Sequence, residues 1–378
     1  MRRLKETKQL ELYPERTLPD SGIILNKARF IETLQYIRAQ ENLDAVRSKT
    51  RVLRTSVADP RQDTIGVTNI SANGDSIPMR RDLLLAEIDQ ILESQTVERA
   101  RYYLERLEKG IGRIKTSKIN EINLLRWKEY DDVITDSLWV LDKRDTSGAH
   151  WGGYWGNFIP QIPRQMMLRY TKRNDWVLDT FVGSGTTLIE CKRLGRNGIG
   201  IELNPTVALT ARELVAKEPN AYHTVADIVV GNSASLNLRD VLTERHVQRI
   251  QLIVMHPPYH DIIKFSDNPQ DLSNAPTTDA FLEMFCRVVD NVTPWLEHNR
   301  YMVLVIGDKY SKGEWIPLGF YCMQQVLKRD YTLKSIVVKN FEETRGKRNQ
   351  KELWRYRALV GGFYVFKHEY IFIFKKGK

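Results

Sequence analysis

Cysteine is scarce in this sequence: Cys191, Cys286 and Cys322 are spread over 378 positions. An odd number at wide spacing offers no disulfide framework and fits reduced thiols, so a cytoplasmic location is expected. No grouping of Cys with His has the spacing of a zinc site, and no metal is expected. No run of about 18 apolar residues is present to span a bilayer, so no membrane partner is expected. The opening MRRLKETKQLELYPE lacks the apolar stretch of a secretory leader. Two nucleotide-binding patterns are missing as well. The lysine-containing phosphate loop is absent, which disfavours a nucleoside triphosphatase, and there is no three-glycine dinucleotide fingerprint.

What is present is apolar content enough for a core, 42% of residues, and a net charge of +10. Excess lysine and arginine favours a polyanionic partner, because phosphate contacts release counterions. The chain divides by pattern near residue 145. In residues 1–145, Phe30, Leu34 and Ile37 mark one helix face, and Leu84, Ile88, Ile91 and Leu92 another. Gly110 and Gly112 are expected to end the helix carrying Tyr103 and Leu107, and SANGDSIP (71–78) reads as a turn-rich connector. This mainly helical region is a candidate for target recognition.

Residues 146–378 alternate strands with helices. The runs WVLDTF (176–181), GIGIEL (198–203), LIVMHP (252–257) and YMVLVIGD (301–308) suit strands buried on both faces of a parallel sheet. KSIVVKN (334–340) and YVFKHEYIFIFKK (364–376) suggest a late strand and a closing antiparallel element. The expected fold class is a doubly wound α/β domain, mostly parallel, with an antiparallel terminal strand and a helical N-terminal region.

Asp179-Thr180-Phe181-Val182-Gly183-Ser184-Gly185-Thr186-Thr187 lies where a strand gives way to a helix. Glycines there allow a tight turn and close approach of a ligand to the helix amino terminus. The next strand ends in Gly200-Ile201-Glu202-Leu203-Asn204-Pro205. Glu202 can accept hydrogen bonds from both ribose hydroxyls of a nucleoside-bearing cofactor, or simply cap the next helix. Together these features resemble the amino-methylating DNA methyltransferases of the Rossmann-like class, whose first motif is close to DPFxGSGTT. Thr180 stands where proline is usual. The resemblance implies S-adenosylmethionine as cofactor, with Asp179, Phe181, Gly183, Ser184, Gly185, Thr186 and Thr187 around its methionine portion and Glu202 on the ribose. Upstream, Gly156-Asn157-Phe158-Ile159-Pro160-Gln161-Ile162-Pro163 resembles the segment that closes over the methionine end, which implicates Phe158 and Pro160. Asn232 falls where the family contacts adenine, although an asparagine in such a place is more often a turn residue than a ligand.

His256-Pro257-Pro258-Tyr259 follows the strand LIVM, at the sheet edge where ligands bind. In the family this motif is usually Asp, Asn or Ser followed by Pro-Pro and an aromatic residue. An exocyclic amino nitrogen is a poor nucleophile because its lone pair is delocalised into the ring. Acceptors on its N–H groups pull it toward tetrahedral geometry and receive developing positive charge. The first side chain and a proline-bond carbonyl would supply them, and Tyr259 would face a base turned out of the duplex. No Pro-Cys nucleophile of the kind used for carbon-5 methylation is evident. A neutral imidazole accepts one hydrogen bond and a protonated one none, so activity is expected to fall as pH drops through the His256 pKa. The loop 262–274 could close over the substrate.

TRGKRNQKELWRYR (344–357) interleaves Arg345, Lys347, Arg348, Lys351, Arg355 and Arg357 with Trp354 and Tyr356, as suits a DNA-contacting loop or a solvated helix end. Little sequence follows the last strand, so target reading is expected in the helical region, in the basic loop or in another subunit. The expected partner is double-stranded DNA, with a cognate restriction endonuclease possible. The residues leave two alternatives open: an RNA base methyltransferase, and an inactive DNA-binding or specificity subunit. Histidine at the head of the motif also leaves adenine N6 and cytosine N4 undistinguished.

Overall fold

The computed structural model describes residues 22–70, 75–341 and 351–377, apart from the side chain of Lys351. The chain forms two units, one running to Ser117 and including Ile122–Asp132, the other made of Lys118–Glu121 and Val133 onward. In the first, β1 (Gly22–Asn26), α1 (Lys27–Arg38), α2 (Leu43–Ala58), β2 (Ser76–Arg80), α3 (Arg81–Leu92) and α4 (Val97–Gly112) follow in order. Asn26, Asn42 and Thr96 cap α1, α2 and α4 by accepting from backbone amides of the first turn. The expected stripes Phe30, Leu34, Ile37 and Leu84, Ile88, Ile91 are buried in a common core, while Leu92 stays half-buried. α4 ends at Gly112, as expected.

The connector reading of 71–78 is corrected over its second half; residues 71–74 lie outside the described part. Ser76, Ile77 and Pro78 belong to β2, which pairs antiparallel with β1. Ile77 and Met79 alternate inward to the core, and a two-stranded ladder tolerates Pro78 because every strand in it has a free edge.

The second unit contains β3 (Leu138–Trp139), α5 (Gln161–Tyr170), β4 (Trp176–Asp179), α6 (Thr186–Leu194), β5 (Asn197–Glu202), α7 (Pro205–Lys217), β6 (Ala226–Val230), α8 (Leu238–Thr243) and β7 (Ile250–Met255). It continues through α9 (Thr278–Val292), β8 (Leu296–Ile306), β9 (Lys309–Ser311), β10 (Glu314–Ile316), α10 (Leu318–Leu327), β11 (Tyr331–Asn340), α11 (Lys351–Gly361) and β12 (His368–Lys376). Residues 133–145, grouped with the first region by their pattern, carry β3 and lie in this unit.

Eight strands form one sheet in the order β3-β11-β12-β8-β7-β4-β5-β6. All neighbours are parallel except β12, which runs antiparallel to both β8 and β11. This is the doubly wound, mostly parallel sheet that was expected, with its terminal strand reversed. Strand order turns back between β4 and β7, and a crevice at the carboxyl ends of such a pair is where open α/β sheets bind ligands. The last strand is shorter than its apolar run: residues 364–367 stay outside it, because the ladder to β11 ends at Asn340 and His368. Among the described residues no helix is long and apolar enough to cross a membrane.

Candidate functional site

At the end of β4 the chain must leave the sheet and enter α6 within a few residues. Thr180 continues the ladder by donating its amide to the Val254 carbonyl at 3.1 Å, a bond that proline could not make. The turn then closes through Gly183 and Gly185 at φ of 51° and 85°, backbone that suits glycine. A Cβ on Gly183 would stand 3.0 Å from the Tyr154 ring, so the turn lies under an aromatic roof. Asp179 is buried beneath it, accepts from the Phe181 amide at 2.9 Å, and is pushed up to about 6 by burial.

Glu202 ends β5 beside this turn. One carboxylate oxygen accepts from the Gly183 amide at 3.1 Å and the other from the Asn204 amide at 2.9 Å. Asn204, not Glu202, caps α7 with its own side chain. Burial, with Asp179 and Asp271 adding like charge, raises the Glu202 carboxyl to about 7. Each oxygen keeps a lone pair beyond its amide, and Glu202 lines a cleft of about 880 Å³.

Asn157 links the upstream segment to the turn. Its amide nitrogen donates to Ser184 Oγ at 2.6 Å, and its oxygen accepts from Thr186 Oγ1 at 2.9 Å. Phe158 reaches into the cleft and meets the His256 ring edge to face, centroids 4.8 Å apart. Across the opening, Phe265 of the loop 262–274 stacks on Tyr154 at 6.1 Å, and Ser266, Gln270, Asp271 and Leu272 line the wall.

The four residues from His256 to Tyr259 all line the same cleft at the carboxyl end of β7. Burial lowers the His256 imidazole to about 4, so it is neutral near pH 7. The fall in activity as pH drops through the His256 pKa is thereby expected near pH 4. The Tyr259 ring packs on the backbone of Gly307, where a Cβ would stand 2.9 Å away.

Of the residues expected at the cofactor, Phe158, Phe181, Gly183, Thr186, Glu202 and Asn232 line the cleft. Asp179, Ser184, Gly185, Thr187 and Pro160 stand behind it and shape the turn or the start of α5. Asn232 also closes a turn by accepting from the Ala234 amide at 2.9 Å. Arg345, Lys347 and Arg348 lie outside the described residues, as does the side chain of Lys351. Arg355 and Arg357 are exposed on α11, whose Trp354 lines the cleft and carries the Arg357 guanidinium 5.2 Å from its ring centre. Sequence reasoning gave no role to Asn157 within residues 156–163 or to Tyr154 just before them, and missed Lys339 and Glu369, which reach the site from the late strands β11 and β12.

One cluster of metal-type donors occurs among the described residues, Asp145, His150 and Glu190. Arg193 and Arg164 already stand 3.2 and 3.6 Å from Glu190, so its charge is balanced by guanidinium groups. His150 Nε2, 2.7 Å from Glu190, ties the upstream segment to α6.

Comparison with known proteins matches residues 89–213 to a family model described as DNA methylase. This segment, a third of the chain, is similar to the amino-group DNA methyltransferase family. The chain's similarity to curated members is local. It is 33% identical over 91 residues to the Type II methyltransferase M.Cfr9I of Citrobacter freundii, covering 24% of this chain and 29% of that one. Against M2.LlaDCHI of Lactococcus lactis subsp. cremoris it is 42% identical over 76 residues, 20% of this chain and 26% of the relative. With M.MjaII of Methanocaldococcus jannaschii the identity is 41% over 64 residues, 17% and 12% of the two chains. The chain thus aligns with less than a third of the length of each of these methyltransferases.

The residues of the turn fit the cofactor of that family. A Cβ-free concavity at Gly183, a carboxylate with spare lone pairs and an aromatic roof suit a nucleoside with a polar tail.

Proposed function

We propose that the chain methylates the exocyclic amino group of a DNA base, adenine N6 or cytosine N4, turned out of the duplex, in a restriction-modification or orphan modification role. The observation that carries this reading is one cleft lined both by the Gly183 turn and Glu202 and by His256-Pro257-Pro258-Tyr259. At about 880 Å³ it has room for a nucleoside cofactor and a base together. S-adenosylmethionine, when bound, supplies an electrophilic methyl group. Glu202 holds the ribose, and Asn157 keeps the segment before α5 closed against the turn. His256 and a carbonyl of the Pro257–Pro258 stretch accept hydrogen bonds from the base's amino group and localise its lone pair for attack. Tyr259 and Phe158 exclude water from the reacting atoms.

The test is incubation with methyl-labelled S-adenosylmethionine and either duplex DNA or total RNA. The expected result is label in DNA, recovered as N6-methyladenine or N4-methylcytosine. Label confined to RNA, or transfer to neither, overturns the reading. Single-molecule sequencing of DNA from cells expressing the chain identifies base and site together.

A further inference from the structure

Histidine at the head of this motif raises a problem that Asp, Asn or Ser does not. An oxygen always offers lone pairs, whereas a neutral imidazole has one acceptor nitrogen and one donor, and something must decide which is which. The surroundings of His256 decide it. Its Nε2 lies 3.2 Å from the Tyr259 hydroxyl, which lies 2.8 Å from Oε2 of Glu369. The other oxygen of Glu369 accepts from Lys339 Nζ at 3.0 Å. Lys339 and Glu369 face each other as a cross-strand pair on β11 and β12, both buried.

The direction of each bond follows from the one before. An ammonium only donates and a carboxylate only accepts, so the single hydroxyl proton of Tyr259 points at Glu369. The tyrosine oxygen then presents lone pairs to Nε2, and their hydrogen bond requires a proton on Nε2. The lone pair of the neutral ring is left on Nδ1. No described protein group partners Nδ1, and His256 lines the cleft. Burial pushes the Glu369 carboxyl up, but the Lys339 charge and the hydrogen bonds from Lys339 and Tyr259 outweigh this and hold it below the usual carboxylate range.

We infer that Glu369, anchored by Lys339 and acting through the Tyr259 hydroxyl, is a positioning residue that fixes the His256 tautomer with Nδ1 as the acceptor offered to the cleft. The role of that acceptor in methyl transfer rests on the function proposed above. The tautomer itself does not. Second nitrogens of functional histidines are commonly held this way, and loss of the holding group typically costs about 10- to 100-fold in function.

Two measurements on the full chain test the relay. Nitrogen-15 resonances of histidine-labelled protein, with His256 identified by its loss in His256→Asn, are expected to show a protonated Nε2 and a bare Nδ1. Tyr259→Phe keeps the ring but removes the hydroxyl, and is expected to shift His256 toward a mixture of tautomers. A proton on Nδ1 in the wild-type protein overturns the inference, whether or not the protein methylates anything. In turnover, Tyr259→Phe is expected to lower kcat about 10- to 100-fold with cofactor affinity kept. In a His256→Asn background the same change is expected to cost less than roughly threefold, because an amide oxygen needs no tautomer set for it. Equal losses in both backgrounds would make Tyr259 a packing residue and overturn the relay.

Discussion

Glu202 is raised to about 7 by burial, yet the role proposed for it, accepting two ribose hydroxyls, calls for the ionised form. The sign follows. Below about pH 7 the free protein holds a proton there, and cofactor binding must expel it. The dissociation constant for S-adenosylmethionine is therefore expected to rise as pH falls through 7, approaching about tenfold per unit. Isothermal titration from pH 5.5 to 8.5 reads this directly, and a constant affinity across the range would sink it. His256, lowered to about 4, contributes no step to kcat in that window. With cofactor and DNA saturating, wild type and His256→Asn are expected to have parallel pH–kcat profiles from 5 to 8 and to diverge only below. A wild-type loss between 6 and 7 absent from the variant contradicts this. Glu202 and the His256 motif were legible because each sits in a short local pattern at a strand end. Glu369 was not, since it lies 110 positions from the tyrosine it binds and has no motif around it.

At the scale of elements, the parallel strands announced themselves as apolar runs, and β5 shows why its sequence also needs glycine. A Cβ on Gly200 would lie 2.5 Å from Val182, and one on Gly198 would lie 2.5 Å from Leu188. The turn and α6 press directly onto this strand. Gly200→Ala is expected to destabilise the second unit by about 1–3 kcal/mol through overpacking, as a lowered midpoint in urea. An unchanged midpoint would show that Val182 and Leu188 yield freely. β2 was hidden by its proline and by the turn-forming residues before it, and only pairing with β1 makes it a strand. α11 keeps Arg355 and Arg357 exposed beside a residue of the cleft wall. Replacing both with alanine is expected to weaken DNA binding and flatten its dependence on log salt by about 0.9 per lost phosphate contact, leaving cofactor affinity intact. A slope equal to that of the wild type would remove α11 from the DNA-contacting surface.

For the molecule as a whole, two units with separate cores imply two unfolding events. Calorimetry is expected to resolve two transitions, with S-adenosylmethionine shifting only one, by about 2.7 kcal/mol at a hundredfold excess over its dissociation constant. A single transition that moves as one body would contradict this. The doubly wound sheet could be foreseen from the alternation of runs. The passage between units could not, because residues 118–121 and 122–132 belong to different units without any change in composition. The place of β12 has a further consequence, for the order of synthesis. Its two neighbours, β8 and β11, are both made before it, and no other strand among the described residues joins them. On the ribosome each waits with an open edge until residues 368–376 emerge, and the carboxylate that orients His256 arrives with them. A chain interrupted before that point lacks both the strand that closes the sheet and the group that readies the site, so an unfinished protein is also an unarmed one.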